Sequence, residues 1–285
     1  MLRVMGRFNA QLYLDGLSGM AERDIDVAEA AVAIAARGYQ GRSLERYIHH
    51  IKAMHEQVGE RHKELLEAGA ADDVDTRTAA LKHVLRDVHD YRGDLEGFDS
   101  IVNANMIEVI DNRKGLPVAL GILYLSCAHA NGWEAEGLNF PGHFIIRLGM
   151  GNERQIVDPF NDLKKLGAPE LRGLAKEYLG EEAELSADFY NPMTRRDVLI
   201  RLQNNIKLRL IEMEDYEEAL NIVTEMERVA PEETRLWLDA GVLLAKIGHR
   251  QAAIDKLEKY VSTDIPWQEK QDIEQFLYEL RASLN

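Results

Sequence analysis

The chain has 285 residues, enough for two modest domains, and 46% of them are apolar, enough for a sizeable core. Its formal net charge is −15, and because an acidic chain repels phosphate backbones, nucleic acid is not expected as a partner. A single cysteine excludes an internal disulfide and fits a reducing compartment. The sequence shows neither an apolar signal core nor an apolar run of about 20 residues, so we expect a cytoplasmic protein without a membrane partner.

The first third of the chain is predicted to be helical. Apolar residues at helical spacing predict four helices, over about residues 24–38, 43–66, 76–89 and 98–110. Gly38 and Gly41 are expected to end the first helix, and Ser43 is expected to cap the second. Residues 1–21 lack a strong period and are expected to form an arm with little order, and residues 91–94 are predicted to form a turn.

A buried helix and a small sheet are predicted in the middle of the chain. Pro117 suits a first helical turn, since its missing N–H would be unpaired there, and the segment up to His129 is apolar on nearly all sides. Asn131-Gly132 is a good C-terminal stop. An antiparallel pair of strands is predicted over residues 144–148 and 155–157, with a candidate third strand over 133–138.

An internal repeat marks the C-terminal region. Ala219 and Ala253 lie 34 residues apart, which is the tetratricopeptide period. The second unit has the aromatic, small, turn and closing residues of that pattern, at Trp237, Ala240-Gly241, Gly248, Ala253 and Pro266. Because two repeats are few for an independent array, we expect residues 268–284 to cap them and residues 191–212 to dock them on the first domain.

Three segments carry a resemblance to a known family: Asp111-Asn-Arg-Lys-Gly-Leu-Pro-Val-Ala-Leu, Asn139-Phe-Pro-Gly-His-Phe and Val157-Asp-Pro-Phe-Asn. With the repeats, they resemble the bacterial SirB-type family over about residues 24–266. That family joins a transglutaminase-like core to C-terminal tetratricopeptide repeats. The resemblance implies an α+β fold that is mostly helical. It places a papain-like core with a small antiparallel sheet in residues 1–190 and helical repeats in residues 191–285.

The resemblance also implies where an active site would lie. In active transglutaminase-like enzymes a Gly-x-Cys opens the buried helix, and counting back from Gly132 puts Gly115-Leu116-Pro117 in that place. His143 matches the family's general-base histidine, and Asp158 matches the acid that orients it. Proline has neither a thiol nor an N–H, so it can neither attack a carbonyl nor donate to an oxyanion. The sequence therefore predicts a degenerate catalytic site.

Cys127 is the one thiol that could replace the missing nucleophile. It lies 10 residues beyond Pro117, or about 15 Å along the helix, near the end where the helix dipole no longer lowers a thiol pKa. A buried, inert cysteine is the favoured interpretation, and a reactive cysteine is the alternative.

Arg113 and Trp237 are candidates for binding. Arg113 belongs either to a solvated charged turn, which is favoured, or to a site for an acidic group near the cleft. Trp237 either packs between repeat helices or is exposed for a partner. No His-x3-His pair with a flanking acid occurs, so neither a metal nor a cofactor is expected. Six histidines are expected on exposed helix faces: His49, His50, His55, His62, His83 and His89.

Two functional hypotheses follow from these features. The leading one is a pseudoenzyme, a non-catalytic transglutaminase-like scaffold that binds a protein or peptide partner through its repeats and its degenerate cleft. The alternative is an atypical hydrolase or amide transferase in which His143 and Asp158 act as a base dyad, with or without Cys127. The exposure and reactivity of the Cys127 sulfur would distinguish the two.

Overall fold

The computed structural model describes residues 3–4, 7–39, 43–95, 97 and 100–282. Its contacts divide the chain into two compact units, Met1–Leu202 and Gln203–Asn285. The first unit combines helices with a small antiparallel sheet, and the described part of the second unit is helical. The predicted fold class, α+β and mostly helical, is confirmed.

Helices make up most of the first unit. They are α1 (Ala10–Leu17), α2 (Val27–Ala35), α3 (Glu45–Glu67), α4 (Val74–Lys82) with a π-helical continuation (His83–Val88), α5 (Met106–Asn112), α6 (Pro117–Ala130) and α7 (Ala168–Leu179). Short 3-10 segments lie at Glu22–Asp24, Ala36–Tyr39, Ile101–Ala104 and Ala187–Tyr190. Asp26, Asp73 and Asn105 accept backbone N–H groups at the starts of α2, α4 and α5. These bonds satisfy donors that every helix start leaves unpaired.

The helix α6 lies at the centre of the core of the first unit. Its residues from Pro117 to Ala128 are all buried, and α2, α3 and β-strand residues after it contact this helix. Pro117 occupies the first helical position, and Gly132, at φ +70°, follows the end of the helix. A proline at the start and a left-handed glycine after the end are the expected boundaries of a helix. The prediction of a buried helix from Pro117 onward is confirmed.

Small strands surround this helical core. Two short pairs come first: β1 (Arg3–Val4) with β2 (Arg7–Phe8), antiparallel, and β3 (Arg92–Gly93) with β4 (Lys114–Gly115), parallel. The main sheet contains β5 (Glu134–Leu138), β6 (Ile146–Met150), β7 (Glu153–Asp158), β8 (Lys164–Lys165) and β9 (Pro192–Met193). Its order is β8-β7-β6-β5-β9, and every pairing is antiparallel. The two predicted strands over residues 144–148 and 155–157 correspond to β6 and β7, and the candidate third strand over 133–138 corresponds to β5.

Several local predictions near the N-terminus are wrong. The expected arm contains the helix α1, which Asn9 caps and whose Tyr13, Leu14 and Leu17 are buried. Ser43 does not cap α3, because the cap position belongs to Leu44 and carries no side-chain bond. Gly41, the expected end of the first helix, lies outside the described residues.

Two predictions before α6 also need correction. The expected turn at residues 91–94 contains β3, because Arg92 and Gly93 pair with the distant Lys114 and Gly115. The fourth helix does not form over residues 98–110. A 3-10 segment at Ile101–Ala104 precedes α5, and Phe98 lies outside the described residues.

The second unit consists of consecutive helices. They are α8 (Arg195–Glu212), whose residues from Gln203 onward belong to this unit, α9 (Tyr216–Val229), α10 (Arg235–Lys246), α11 (Arg250–Val261) and α12 (Trp267–Ala282). The repeat pattern needs a small residue at position 241, because a Cβ added to Gly241 would lie 2.6 Å from Leu257 Cγ. The predicted capping segment corresponds to α12, and the docking role of residues 191–212 stays a prediction. Within the described chain, no helix has both the length and the apolar character that a membrane span requires.

Candidate functional site

His143 and Asp158 meet at one end of the sheet. His143 lies in the loop between β5 and β6, and Asp158 is the last residue of β7. The register that pairs Ile146 with Val157 brings this loop beside the strand end. His143 Nε2 lies 3.0 Å from Asp158 Oδ2, and the two residues are 4% and 1% exposed. They form a buried, hydrogen-bonded dyad.

The Asp158 carboxylate accepts a complete set of hydrogen bonds. Oδ1 accepts the backbone N–H groups of Phe160 at 2.9 Å and Asn161 at 3.3 Å. Oδ2 accepts from Asn161 Nδ2 at 2.7 Å and from the His143 ring. Burial alone would raise the pKa of Asp158, but the bonds from His143, Asn161 and Phe160 outweigh burial and hold the pKa below its ordinary value. An ionised Asp158 therefore fixes the hydrogen of His143 on Nε2.

Two aromatic rings contact the His143 imidazole. The Tyr178 ring stacks on it with centroids 6.0 Å apart and planes 23° apart, and the Phe160 ring stands edge-on at 6.1 Å. Gly142 adopts φ +72°, and a Cβ there would overlap the Tyr178 ring. His143 Nδ1 is buried and has no hydrogen-bond partner among the described residues. This nitrogen is the one that a base would use, because Nε2 is occupied by Asp158.

The first turns of α6 lie against the elements that carry the dyad. Gly115 pairs with Gly93, and a Cβ added to Gly93 would lie 2.7 Å from the ring of Phe160. One turn into α6, Gly121 allows the ring of Phe144 to approach the helix closely. Pro117 begins α6 on this side and is itself buried. The start of the helix therefore offers no hydroxyl or thiol to the imidazole.

Cys127 lies near the opposite end of α6. Its side chain is completely buried, at 0% exposure. Burial first, and the Asp26 carboxylate second, raise the pKa of the Cys127 thiol far above its ordinary value. A buried thiol that resists ionisation is a poor nucleophile.

Arg113 lies just before α6 at the left-handed C-cap of α5, with φ 60°. Its guanidinium contacts His50 Nε2 at 2.5 Å, donates to the hydroxyl of Tyr91, and lies 4.8 Å from the centroid of that ring. Arg113 is therefore partly buried and engaged with neighbouring side chains, so it does not belong to a solvated charged turn. An acidic ligand would have to compete with these contacts or add to them.

The chain resembles known protein families over most of its length. The sequence profile of the transglutaminase-like superfamily matches residues 45–204, which is more than half of the chain. The chain belongs to the transglutaminase-like superfamily. A tetratricopeptide repeat profile matches residues 206–279, which confirms the predicted order of core and repeats.

Relatives of this transglutaminase-like protein occur in bacteria and in mammals. A protein of Xylella fastidiosa named UPF0162 is 28% identical over 188 residues, which are 65% of this chain and 67% of the relative. The UPF0162 protein of Vibrio cholerae is 26% identical over 60% of this chain and 63% of its own. The mouse F-box only protein 21 is 28% identical over 45% of this chain and 21% of its own length. No solved structure matches the chain at a significant level.

Of the six histidines expected on exposed helix faces, His49 is exposed. The other five are partly buried, which contradicts the prediction: His50, His55, His62, His83 and His89. His55 Nε2, for example, lies 2.7 Å from Ser126 Oγ. The Ser126 hydroxyl donates to Asp26 Oδ1 at 2.9 Å, so this group joins α2, α3 and α6 structurally. Across the described chain, no three histidine, cysteine or acidic side chains are grouped closely enough to hold a metal ion.

Trp237 lies in the second unit, on α10, far along the chain from the dyad. It is partly buried against the cluster that includes Leu257 and Tyr260. Lys259 Nζ lies 3.6 Å from the centroid of the Trp237 ring. The residue thus packs between helices of the repeats while part of its surface stays accessible.

Sequence reasoning missed Asn161 and Tyr178 at the dyad. The contact of Asn161 could have been predicted from the sequence. An Asp-Pro pair followed by a short polar residue favours an Asx-turn, in which backbone and side-chain donors point at the aspartate. Nothing in the sequence near Tyr178 indicated its role, because it contacts His143 from α7, a helix that lies between β8 and β9 in the chain.

Proposed function

We propose that the chain is a non-catalytic, SirB-type member of its superfamily that binds a protein or peptide through its tetratricopeptide repeats. Pro117 at the first position of α6 carries this proposal, because an active member needs its nucleophile there. Cys127 is buried too deeply to supply one. The proposal assigns residues 1–190 to the transglutaminase-like part and residues 191–285 to the repeats.

Two exposed apolar side chains support a binding face on the repeats. Leu208 in α8 and Val242 in α10 lie 34 residues apart, so they occupy equivalent positions of successive units. Both are exposed, Leu208 by 53% and Val242 by 37%. Equivalent apolar positions on stacked helices form a stripe, and such a stripe suits the apolar side of a helical or extended peptide.

Affinity capture with the intact chain tests this proposal. The double variant Leu208→Ser/Val242→Ser should lose the proteins that the unchanged chain retains. Met213→Ser is the matched control, because Met213 is also an exposed apolar residue, 69% accessible, in the turn after α8. The proposal is wrong if the double variant and the control retain the same proteins in the same amounts.

A second candidate function is supported by the intact dyad. A histidine held by an ionised aspartate, with its second nitrogen unpaired, has the arrangement of a general base. In an atypical hydrolase or amide transferase, Nδ1 would take a proton from water or from a substrate amine. Catalysis of this kind would require access to Nδ1, which is buried in this structure.

Two measurements separate this candidate from the leading proposal. Hydrolysis of a panel of simple esters and amides that disappears in His143→Asn, while Arg113→Lys retains it, would support dyad chemistry. Cys127 should react with a disulfide reagent only after unfolding, because its sulfur is buried. Rapid labelling of the native chain would instead support a reactive thiol and reverse the order of the two candidates.

A further inference from the structure

Tyr178 is the side chain that closes the dyad from the α7 side. Its ring stacks on the His143 imidazole, and the absence of a side chain at Gly142 leaves the space in which that ring lies. Gly142 holds φ +72°, a conformation that favours glycine. The loop before His143 is therefore shaped to receive an aromatic ring on its surface.

The helix that carries Tyr178 is weakly anchored beyond its middle. Among the residues of α7, Leu171 and Ala175 are buried, and both pack in a cluster with Leu138 and Phe140. After Ala175 the helix continues for one turn, in which Tyr178 is 37% and Leu179 52% exposed. Segments with few buried apolar contacts open locally at a lower free energy than the whole fold.

The end of α7 also has a natural hinge. Gly180 follows the helix at φ +102°, and its N–H donates to the Lys176 carbonyl at 2.9 Å. Residues 180–182 beyond it are exposed. The last turn of α7 thus lies between this left-handed glycine and the buried contacts of Leu171 and Ala175, which belong to earlier turns.

His143 Nδ1 is what such a movement would uncover. It is a buried acceptor with no partner in the described chain, and a buried polar atom without a partner is costly. Solvent or a ligand donor would satisfy it. Tyr178 is stacked on the ring that carries this nitrogen, and Phe160 stands edge-on to the same ring.

We propose that Tyr178 is a gate, and that local opening of the last turn of α7 exposes His143 Nδ1 as a binding site for a neutral hydrogen-bond donor such as an amide N–H. The gate does not require the dyad to be catalytic. It can also be tested separately from partner binding by the repeats, because His143 and Tyr178 both belong to the first unit. Tyr178 is a positioning residue in this proposal, since it acts by controlling access to His143.

Deuterium exchange at the imidazole C2 position of the folded, intact chain tests the gate. The chain is then digested, and mass spectrometry of the peptide that contains His143 gives the exchange rate. Tyr178→Ala should accelerate exchange at His143 by about tenfold or more, which corresponds to the loss of roughly one aromatic contact. Tyr178→Phe keeps the ring and should leave the rate unchanged. Leu179→Ala is the matched control, because its side chain is more exposed than that of Tyr178 and belongs to the same turn.

The urea dependence of the same exchange decides whether the gate opens in the unchanged chain. Local opening predicts that the His143 rate is nearly independent of urea well below the unfolding transition. A rate that follows global unfolding would overturn the proposal. So would an unchanged rate in Tyr178→Ala, or an equal acceleration at His129, whose Nδ1 is also buried in the same unit.

Discussion

Replacing Asp158 tests whether the dyad contributes to the stability of the first unit. Asp158→Ala leaves His143 Nε2 and the backbone N–H of Phe160 without an acceptor, and both donors are buried. At about 1–3 kcal/mol for each unsatisfied buried donor, the variant should lose about 2–6 kcal/mol of unfolding free energy. The two bonds from Asn161 add little, because that residue is exposed.

Asp158→Asn is the matched control for this loss. The amide oxygen still accepts from Phe160 N–H, and the His143 proton can move to Nδ1 so that Nε2 accepts from the new amide. The expected loss is about 1–2 kcal/mol, the worth of an exchanged hydrogen bond. Because only the alanine variant removes both acceptors, we expect it to be the less stable of the two by at least about 1 kcal/mol.

Urea unfolding followed by tryptophan fluorescence measures both variants. Trp133 lies in the first unit and is buried, so it reports on that unit once Trp237 and Trp267 are replaced by phenylalanine. Equal midpoints for the two Asp158 variants would refute the reasoning, because the donors would then not depend on the carboxylate.

Three further predictions concern backbone, charge and repeat packing. Gly142→Ala should destabilise the first unit by more than the roughly 1–2 kcal/mol that an alanine costs in the left-handed region, because its Cβ would overlap the Tyr178 ring. Gly151→Ala is the control: it has φ +57° and open space around it, so it should show the backbone cost alone in the same urea assay. Burial first, and Arg113 second, lower the pKa of His50 to about 4. Since the unfolded ring binds its proton near pH 6.5, stability should fall as the pH drops from about 6.5 to about 4, and His50→Gln should flatten this slope. Trp237→Ala should cost the repeats about 2–3 kcal/mol in thermal unfolding, less than a fully buried tryptophan; no measurable loss would instead favour a role in binding.

The parts of the fold that could be predicted have strong local signals. The helix α6 is apolar on all sides between a proline and an Asn-Gly pair, and β6 and β7 are strand-like runs joined by a glycine-containing turn. The repeats carry their period in the sequence. Each of these elements follows from residues within a few positions of one another, so one sequence suffices.

The parts that could not be predicted depend on distant residues. Gly93 pairs with Gly115, and nothing local in a two-residue segment indicates a strand. The edge strands β8 and β9 are equally short. They form by hydrogen bonding to the longer strands β7 and β5, respectively. At the site, family resemblance pointed to His143 and Asp158, while Tyr178 could be found only from the packed structure.

The two edges of the main sheet limit how a strand of another chain could pair with it. β8 and β9 cover two residues each, so most of the outer sides of β7 and β5 carry no strand partner in the described chain. Those uncovered stretches contain Glu134, Glu136, Glu153 and Arg154, charged residues that discourage a foreign strand from aligning there. These charges therefore disfavour the pairing of an extended peptide with either sheet edge. They also disfavour edge-to-edge pairing between two copies of the chain. If the chain binds a partner as proposed, recognition would therefore come from side chains on helices, where a single substitution can change the affinity.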